Sequence, residues 1–233
     1  MQLSSGCSLD GGAKHNVQPI PIFRVANLKP FRSPPVDRST SGKRTSSSFN
    51  LVLKTEHKLY PLTTFCERDG VELPPHRVIA ASDLPEPYQR LLVHTRDMTS
   101  VLQEFYSQEI HLSNVDLVRE KDRVLRRVAL LREDGRPVEF GAIDIRLSPF
   151  TDMVQGEILA CLTPLGAILN HHKIGYTSSP TGFFEIDSNG FIREALRMES
   201  PERLYGRMNV LRSENDQVIA KVVEILPPLP EDQ

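Results

Sequence analysis

The 233-residue chain has no tryptophan and only three cysteines, and its opposite charges almost cancel. Cys7, Cys66 and Cys161 are odd in number and lack CxxC spacing, which suggests neither a disulfide framework nor a zinc site and is typical of reduced thiols. A net charge of -2 gives no reason for a nucleic-acid partner. We therefore expect no nucleic acid to be bound.

Long apolar runs are also missing. None approaches the ~20 residues that span a bilayer, and the first residues, MQLSSGCSLDGG, lack the basic and apolar regions of a signal peptide. We expect a cytoplasmic monomer without a membrane partner. The sequence contains no GxGxxG, GxxxxGK[ST], HExxH or GxSxG. His171 and His172 are adjacent and would diverge by about 100° on a helix, so we expect neither a metal nor a cofactor.

Composition divides the chain near residue 50. Residues 1–50 are rich in Ser, Pro, Gly and basic residues and lack the periodicity needed to bury a face, which predicts a disordered tail. Such a tail could bind an acidic partner or be phosphorylated, but a solvated tail is the simpler interpretation. Residues 51–233 are expected to form the folded domain, with irregular chain from Leu51 to Pro85 wrapping around its core.

Strands dominate the folded part. Residues 84–106 predict two short helices broken near Thr95 to Asp97, and Asp134-Gly135 predicts a hairpin between two long strands. Because βα units do not alternate, an antiparallel sheet with helices on one side is favoured. At the second helix start Asp97 could simply cap free N–H groups, or those groups could bind an anionic ligand. Both interpretations stay open.

Charged residues inside apolar strands are the best candidates for chemistry. Either Arg126 or Arg127 must point toward the packed face of its strand, where an unpaired guanidinium would be costly. Glu224 lies in a second apolar strand. The simpler interpretation leaves Arg126 and Lys221 in solvent, while Arg127 and Glu224 form a structural ion pair or cap an edge.

Five short motifs occur in an order that resembles the chorismate lyase family, between Tyr88 and Pro228. They are "DMT" at 97–99, "RVALLREDGRPV" at 127–138, "TPLG" at 163–166, "YGR" at 205–207 and "VVEILP" at 222–227. The resemblance implies an α+β fold with an antiparallel sheet of about six strands and helical flaps on one side, over a buried ligand. Enzymes of this family remove pyruvate from chorismate to give 4-hydroxybenzoate, without a cofactor.

The resemblance also implies a set of site residues. Arg127 corresponds to the arginine that binds the ring carboxylate, and Glu224 to the conserved site glutamate, for which we expect an acid or base role. Met98 and Leu165 correspond to backbone contacts with the ligand. Arg127 and Glu224 are therefore the expected catalytic residues, and all four are expected to bind chorismate.

Two further functions stay open. The same fold serves as the small-molecule sensor of some transcription regulators, where it binds an effector and performs no reaction. The second is a degenerate lyase that only binds, because Val128 and Ala167 replace residues that are common in the family. In such regulators a DNA-binding domain normally precedes the sensor, and the first 50 residues are too polar and irregular to form one. Arg127 and Glu224, the residues expected of a lyase, are both present. We therefore favour the lyase over the sensor.

Overall fold

The computed structural model describes residues 59–229, so the expected tail over residues 1–50 and Cys7 lie outside the described part. Within this part, seven strands and six α-helices are formed. The helices are α1 (Leu62–Asp69), α2 (Tyr88–Leu92), α3 (Met98–Tyr106), α4 (Asp152–Ala160), α5 (Leu165–His171) and α6 (Gly190–Leu196). The strands are β1 (His76–Ile79), β2 (Ile110–Glu120), β3 (Arg123–Arg132), β4 (Pro137–Arg146), β5 (Tyr176–Asp187), β6 (Arg203–Ser213) and β7 (Val218–Leu226).

The strands form one antiparallel sheet in the order β1-β5-β6-β7-β4-β3-β2. Gly135, at φ 78°, makes the tight turn between β3 and β4, because glycine adopts positive φ without a Cβ clash. Asp216, at φ 59°, turns the chain between β6 and β7. The expected α+β antiparallel fold is confirmed, with seven strands in the described residues.

Helices cover both faces of this sheet, although the sequence predicted helices on one side only. On one face, α2 to α5 bury apolar side chains against β3, β4 and β7, for example Leu165 and Ile168 against Val128 and Val222. On the other face, α1 and α6 pack against the same strands. This second layer exists because Leu125, Phe140, Ala142, Val223 and Ile225 alternate with the first set and are equally apolar. We call the two surfaces the first face and the second face.

Three helices and one strand differ from the sequence expectation. Residues 51–85 were expected to be irregular, but α1 and β1 form within them. The sequence patterns also did not predict α4 and α6, which are short and acquire their stability from packing on the sheet. Cys66 and Cys161 are buried free thiols. None of the helices in residues 59–229 has the length and apolarity needed to cross a membrane.

Candidate functional site

A cavity lies between the first face of the sheet and the helices that cover it. The volume within which the centre of a water molecule can lie is about 70 Å³. A single bound water needs only ~10–15 Å³ on this measure. The space therefore suits a small organic molecule. Apolar side chains form most of its wall, and the polar and charged residues that line it are Asp97, Thr99, Arg126, Glu139, Tyr176, Ser178, Asn209 and Glu224.

Two helix starts meet at the cavity wall. Asp97 caps α3 by accepting a hydrogen bond from the Ser100 backbone N–H at 2.8 Å, and Met98 then lines the cavity. Leu165 lines it from the start of α5. Gly166 allows the two segments to approach, because a Cβ there would lie 3.0 Å from the Asp97 Cβ. Capping and cavity lining thus coexist at this helix start, and ligand binding by the Met98 and Leu165 backbones stays a prediction.

Arg126 places a guanidinium in the cavity wall. Its side chain is fully buried and lines the cavity. Nη1 is near the Ile158 carbonyl oxygen at 3.5 Å and the Cys161 Sγ at 3.6 Å. Nε and Nη2 have no hydrogen-bond partner among residues 59–229. Burial lowers the pKa of Arg126, because a charge in an apolar interior is poorly solvated. A bound anion would supply hydrogen-bond acceptors for Nε and Nη2 and would compensate the buried charge.

Arg127 lies on the second face, away from the cavity. Its guanidinium forms ion pairs with Asp69 at 2.8 Å and with Asp116 at 3.2 Å. It also sits 5.1 Å from the ring centre of Phe65 and 5.2 Å from that of Phe191. The expected meeting of Arg127 with Glu224 inside one cavity therefore does not occur. Successive side chains of a strand point to opposite faces, so a displacement of one residue exchanges the two arginines.

Glu224 does line the cavity, and it is bound to a buried arginine. Arg207 on β6 pairs with it across the β6–β7 hairpin, and the Arg207 side chain is fully buried. The same guanidinium donates to the carbonyl oxygens of Leu92 at 3.2 Å and His94 at 3.1 Å, in the segment between α2 and α3. Arg207 therefore connects the cavity carboxylate to the chain that leads into Met98. We predicted no role for Arg207 from the sequence, and the strand register is what places it opposite Glu224.

Glu139 is a second buried carboxyl group in the cavity wall. It is only 4% exposed, and its Oε2 has no hydrogen-bond partner among residues 59–229. Burial raises its pKa well above the ordinary range, repulsion from Glu224 raises it further, and Arg207 opposes the shift. The surroundings of Glu139 therefore favour its protonated, uncharged form, which can donate a hydrogen bond. The sequence signal was an acidic residue inside the apolar strand "PVEFGAI".

Two neutral polar groups complete the wall. The Asn209 side-chain amide donates to the Ser178 hydroxyl at 2.9 Å, and both residues are buried. In the described part of the chain, no three His, Cys, Asp or Glu side chains converge as a metal ion would require. The cavity thus combines an unpaired cation, a paired carboxylate and an acid, which is a set suited to binding an organic anion.

Comparison with known proteins identifies fold relatives only. No family model matches the chain, and no curated protein matches it. The effector domain of PhnF from Mycobacterium smegmatis aligns at a TM-score of 0.46 and 11% identity, over 56% of this chain and 87% of that chain. A ligand-binding domain from Bordetella bronchiseptica, assigned to the GntR family of transcriptional regulators, gives 0.41 and 11% over 51% and 85%. A GntR-family transcriptional regulator from Enterococcus faecalis V583 gives 0.36 and 14% over 49% and 91%.

These matches correct two expectations. The chain was expected to be an enzyme, but the matched structures are described as effector or ligand-binding domains and as transcriptional regulators. Their description as regulators also contradicts the expectation of no nucleic-acid partner. None of these matched structures is described as a chorismate lyase. The expected monomer stays a prediction.

Proposed function

We propose that residues 59–229 form a sensor domain that binds a small organic anion in the first-face cavity and performs no reaction on it. The observation that carries this proposal is Arg126, a fully buried guanidinium with two nitrogens that lack partners. An unpaired buried charge costs several kcal/mol, of order 3–5 in the cases where one partner of a buried pair is removed. A carboxylate bound by the guanidinium fork would offset much of that cost.

The other charges in the wall support binding over catalysis. Glu224 was the expected acid or base, but its carboxylate is already engaged by Arg207 within the protein. Arg127 was the other expected catalytic residue, and its cation is engaged by two aspartates on the second face. No described pair of free acid and base therefore faces the cavity, and a bound anion would meet positioning contacts alone.

Binding can be tested with benzoate and its neutral isostere benzamide. Because benzoate differs from benzamide mainly in charge, benzoate should bind with a Kd of about 1 mM or tighter, about −4 kcal/mol, and benzamide much more weakly. Calorimetry measures both affinities. NMR should show a benzoate-dependent shift of the Arg126 Nε–H resonance. Absence of benzoate binding, or equal binding of benzamide, would contradict the proposal.

A matched pair of substitutions locates the site. Arg126→Met should abolish benzoate binding, because no other unpaired guanidinium lines the cavity among residues 59–229. Arg127→Met removes the neighbouring cation on the second face and should leave the affinity within about 2-fold, since its partners are internal. Circular dichroism establishes that both variants are folded.

The absence of a reaction has its own test. Purified protein incubated with chorismate should release no pyruvate above the spontaneous rate, as followed by a coupled dehydrogenase assay. Arg126→Met serves as the control for any contaminating activity. Pyruvate release by the unaltered protein that is lost in this variant would overturn the non-catalytic part of the proposal, while leaving the binding site in place.

A further inference from the structure

The charged groups of the cavity are unevenly distributed along the strands. Arg126 pairs with Ile143 in the β3–β4 ladder, and Leu130 pairs with Glu139. Four residues therefore separate the level of Arg126 from that of Glu139, or about 13 Å at ~3.3 Å per residue. All of these positions face the cavity. One end of the space thus carries the Arg126 guanidinium and the other the Glu139 carboxyl group, and Glu224 lies between them at the level of Gly141.

The carboxyl end has one internal cation, and that cation is already paired. The Arg207 guanidinium forms an ion pair with Glu224. Arg207 is also the cation whose charge acts on Glu139, so one positive group serves both carboxyl groups. Two ionised carboxylates at this spacing would repel each other in a poorly solvated interior, and the system lowers its energy by keeping a proton on one of them. Glu139 is the more deeply buried and lacks a partner for Oε2, so the proton belongs there.

A glycine shapes this end. Gly141 lies between Glu139 and Ile143 on the same face of β4, and a Cβ there would lie 3.4 Å from the Glu139 Oε1 and 3.1 Å from a Val128 methyl. Any side chain at this position would fill space beside the Glu139 carboxyl. The glycine therefore leaves the acid group accessible from within the cavity.

Resting on the sensor function proposed above, we infer that Glu139 determines ligand specificity as a neutral hydrogen-bond donor. The ligand class is then a monocarboxylate whose carboxylate binds Arg126 and whose opposite end carries an uncharged acceptor, such as an amide or carbonyl oxygen, for the Glu139 proton. A second carboxylate at that end would face Glu224 without a free cation to compensate it, so dicarboxylates of the same length are disfavoured.

Other titratable groups near the cavity do not replace this donor. Glu224 and Arg207 satisfy each other, and His94 contacts the Arg207 guanidinium from the α2–α3 segment. Burial, and next the charge of Arg207, lowers the pKa of His94, which favours its neutral form. Asp97 is occupied in capping α3. Arg126 is excluded as the donor because its guanidinium binds the ligand carboxylate.

Three benzoate-based probes test this assignment by calorimetry. The first is benzoate, the second is 4-carbamoylbenzoate with a neutral amide, and the third is terephthalate with a second carboxylate. At about pH 6, 4-carbamoylbenzoate should bind about 10-fold more tightly than benzoate, which is the value of one buried hydrogen bond. Terephthalate should bind at least about 10-fold more weakly than 4-carbamoylbenzoate. Equal affinities for these two would overturn the inference.

Two variants separate the donor from the shape of the site. Glu139→Met removes the proton donor and should erase the advantage of 4-carbamoylbenzoate over benzoate. Glu139→Gln keeps an N–H donor and should retain the advantage. In the unaltered protein the advantage should fall as rising pH ionises Glu139, and in Glu139→Gln it should be independent of pH. An advantage that survives in Glu139→Met would assign the donor to another group.

Failure of this inference is distinct from failure of the sensor function. If benzoate binds through Arg126 but 4-carbamoylbenzoate gains nothing, the sensor function stands and Glu139 has no part in specificity. If none of the three probes binds, the binding function itself fails.

Discussion

Arg126 and Arg127 are neighbours in the chain, yet they occupy two different environments. Arg127 on the second face has two aspartate partners and two aromatic rings around its guanidinium. Arg126 on the first face is more deeply buried and keeps two nitrogens without partners in the described residues. Burial alone therefore does not identify a binding site. A buried cation that the fold already satisfies is structural, and one that the fold leaves unsatisfied awaits a ligand.

Arg207 extends the contrast, because it is as buried as Arg126 but fully engaged. Arg207→Met should therefore have the largest effect on stability, a loss of about 3–5 kcal/mol, since Glu224 would be left as a buried unpaired charge. Denaturant unfolding followed by circular dichroism measures the loss. The double variant Arg207→Met with Glu224→Met should recover at least half of it. A loss below about 1 kcal/mol in the single variant would show that this pair is not a net stabilising contact.

The two adjacent arginines should respond to the same substitution with opposite signs. Arg127→Met removes two partly buried ion pairs and two cation–π contacts, and should destabilise the protein by about 2 kcal/mol. Arg126→Met removes an unpaired buried charge and should be neutral or slightly stabilising. Unfolding free energies of the two variants, measured side by side without ligand, provide the test. Equal losses would mean that Arg126 has internal partners of the same strength.

The smallest expected effect concerns the pH dependence of stability. The folded state raises the pKa of Glu139, whereas the unfolded chain titrates near ~4.3. The contribution of this acid is therefore fully present below the unfolded pKa and is lost as pH rises toward the folded pKa. From about pH 5 to pH 6 the unaltered protein should lose up to about 1.4 kcal/mol relative to Glu139→Gln. Parallel unfolding curves for the two proteins across this range would contradict a protonated Glu139.

The fold class could be predicted from the sequence because turns and strand alternation are local signals. Asp134-Gly135 specifies a tight turn, and alternating apolar residues on either side specify the paired strands. The same signals are weak for α1, α4 and α6, which are short helices that become stable by packing on the sheet. For the site, Met98, Leu165 and Glu224 line one cavity, and their binding of a ligand stays a prediction, whereas Arg127 lies on the opposite face of the sheet.

Local sequence patterns were enough to predict the antiparallel strands and their turns, the helix start at Asp97, and the presence of charges within apolar strands. Long-range packing established which of two adjacent arginines faces the cavity, that Arg207 pairs with Glu224, and that the surroundings of Glu139 raise its pKa. These two groups of features differ because turns and caps depend on residues close in the chain. The face of a strand side chain depends on a register set by distant partners, and the charge of a buried group depends on neighbours from several strands.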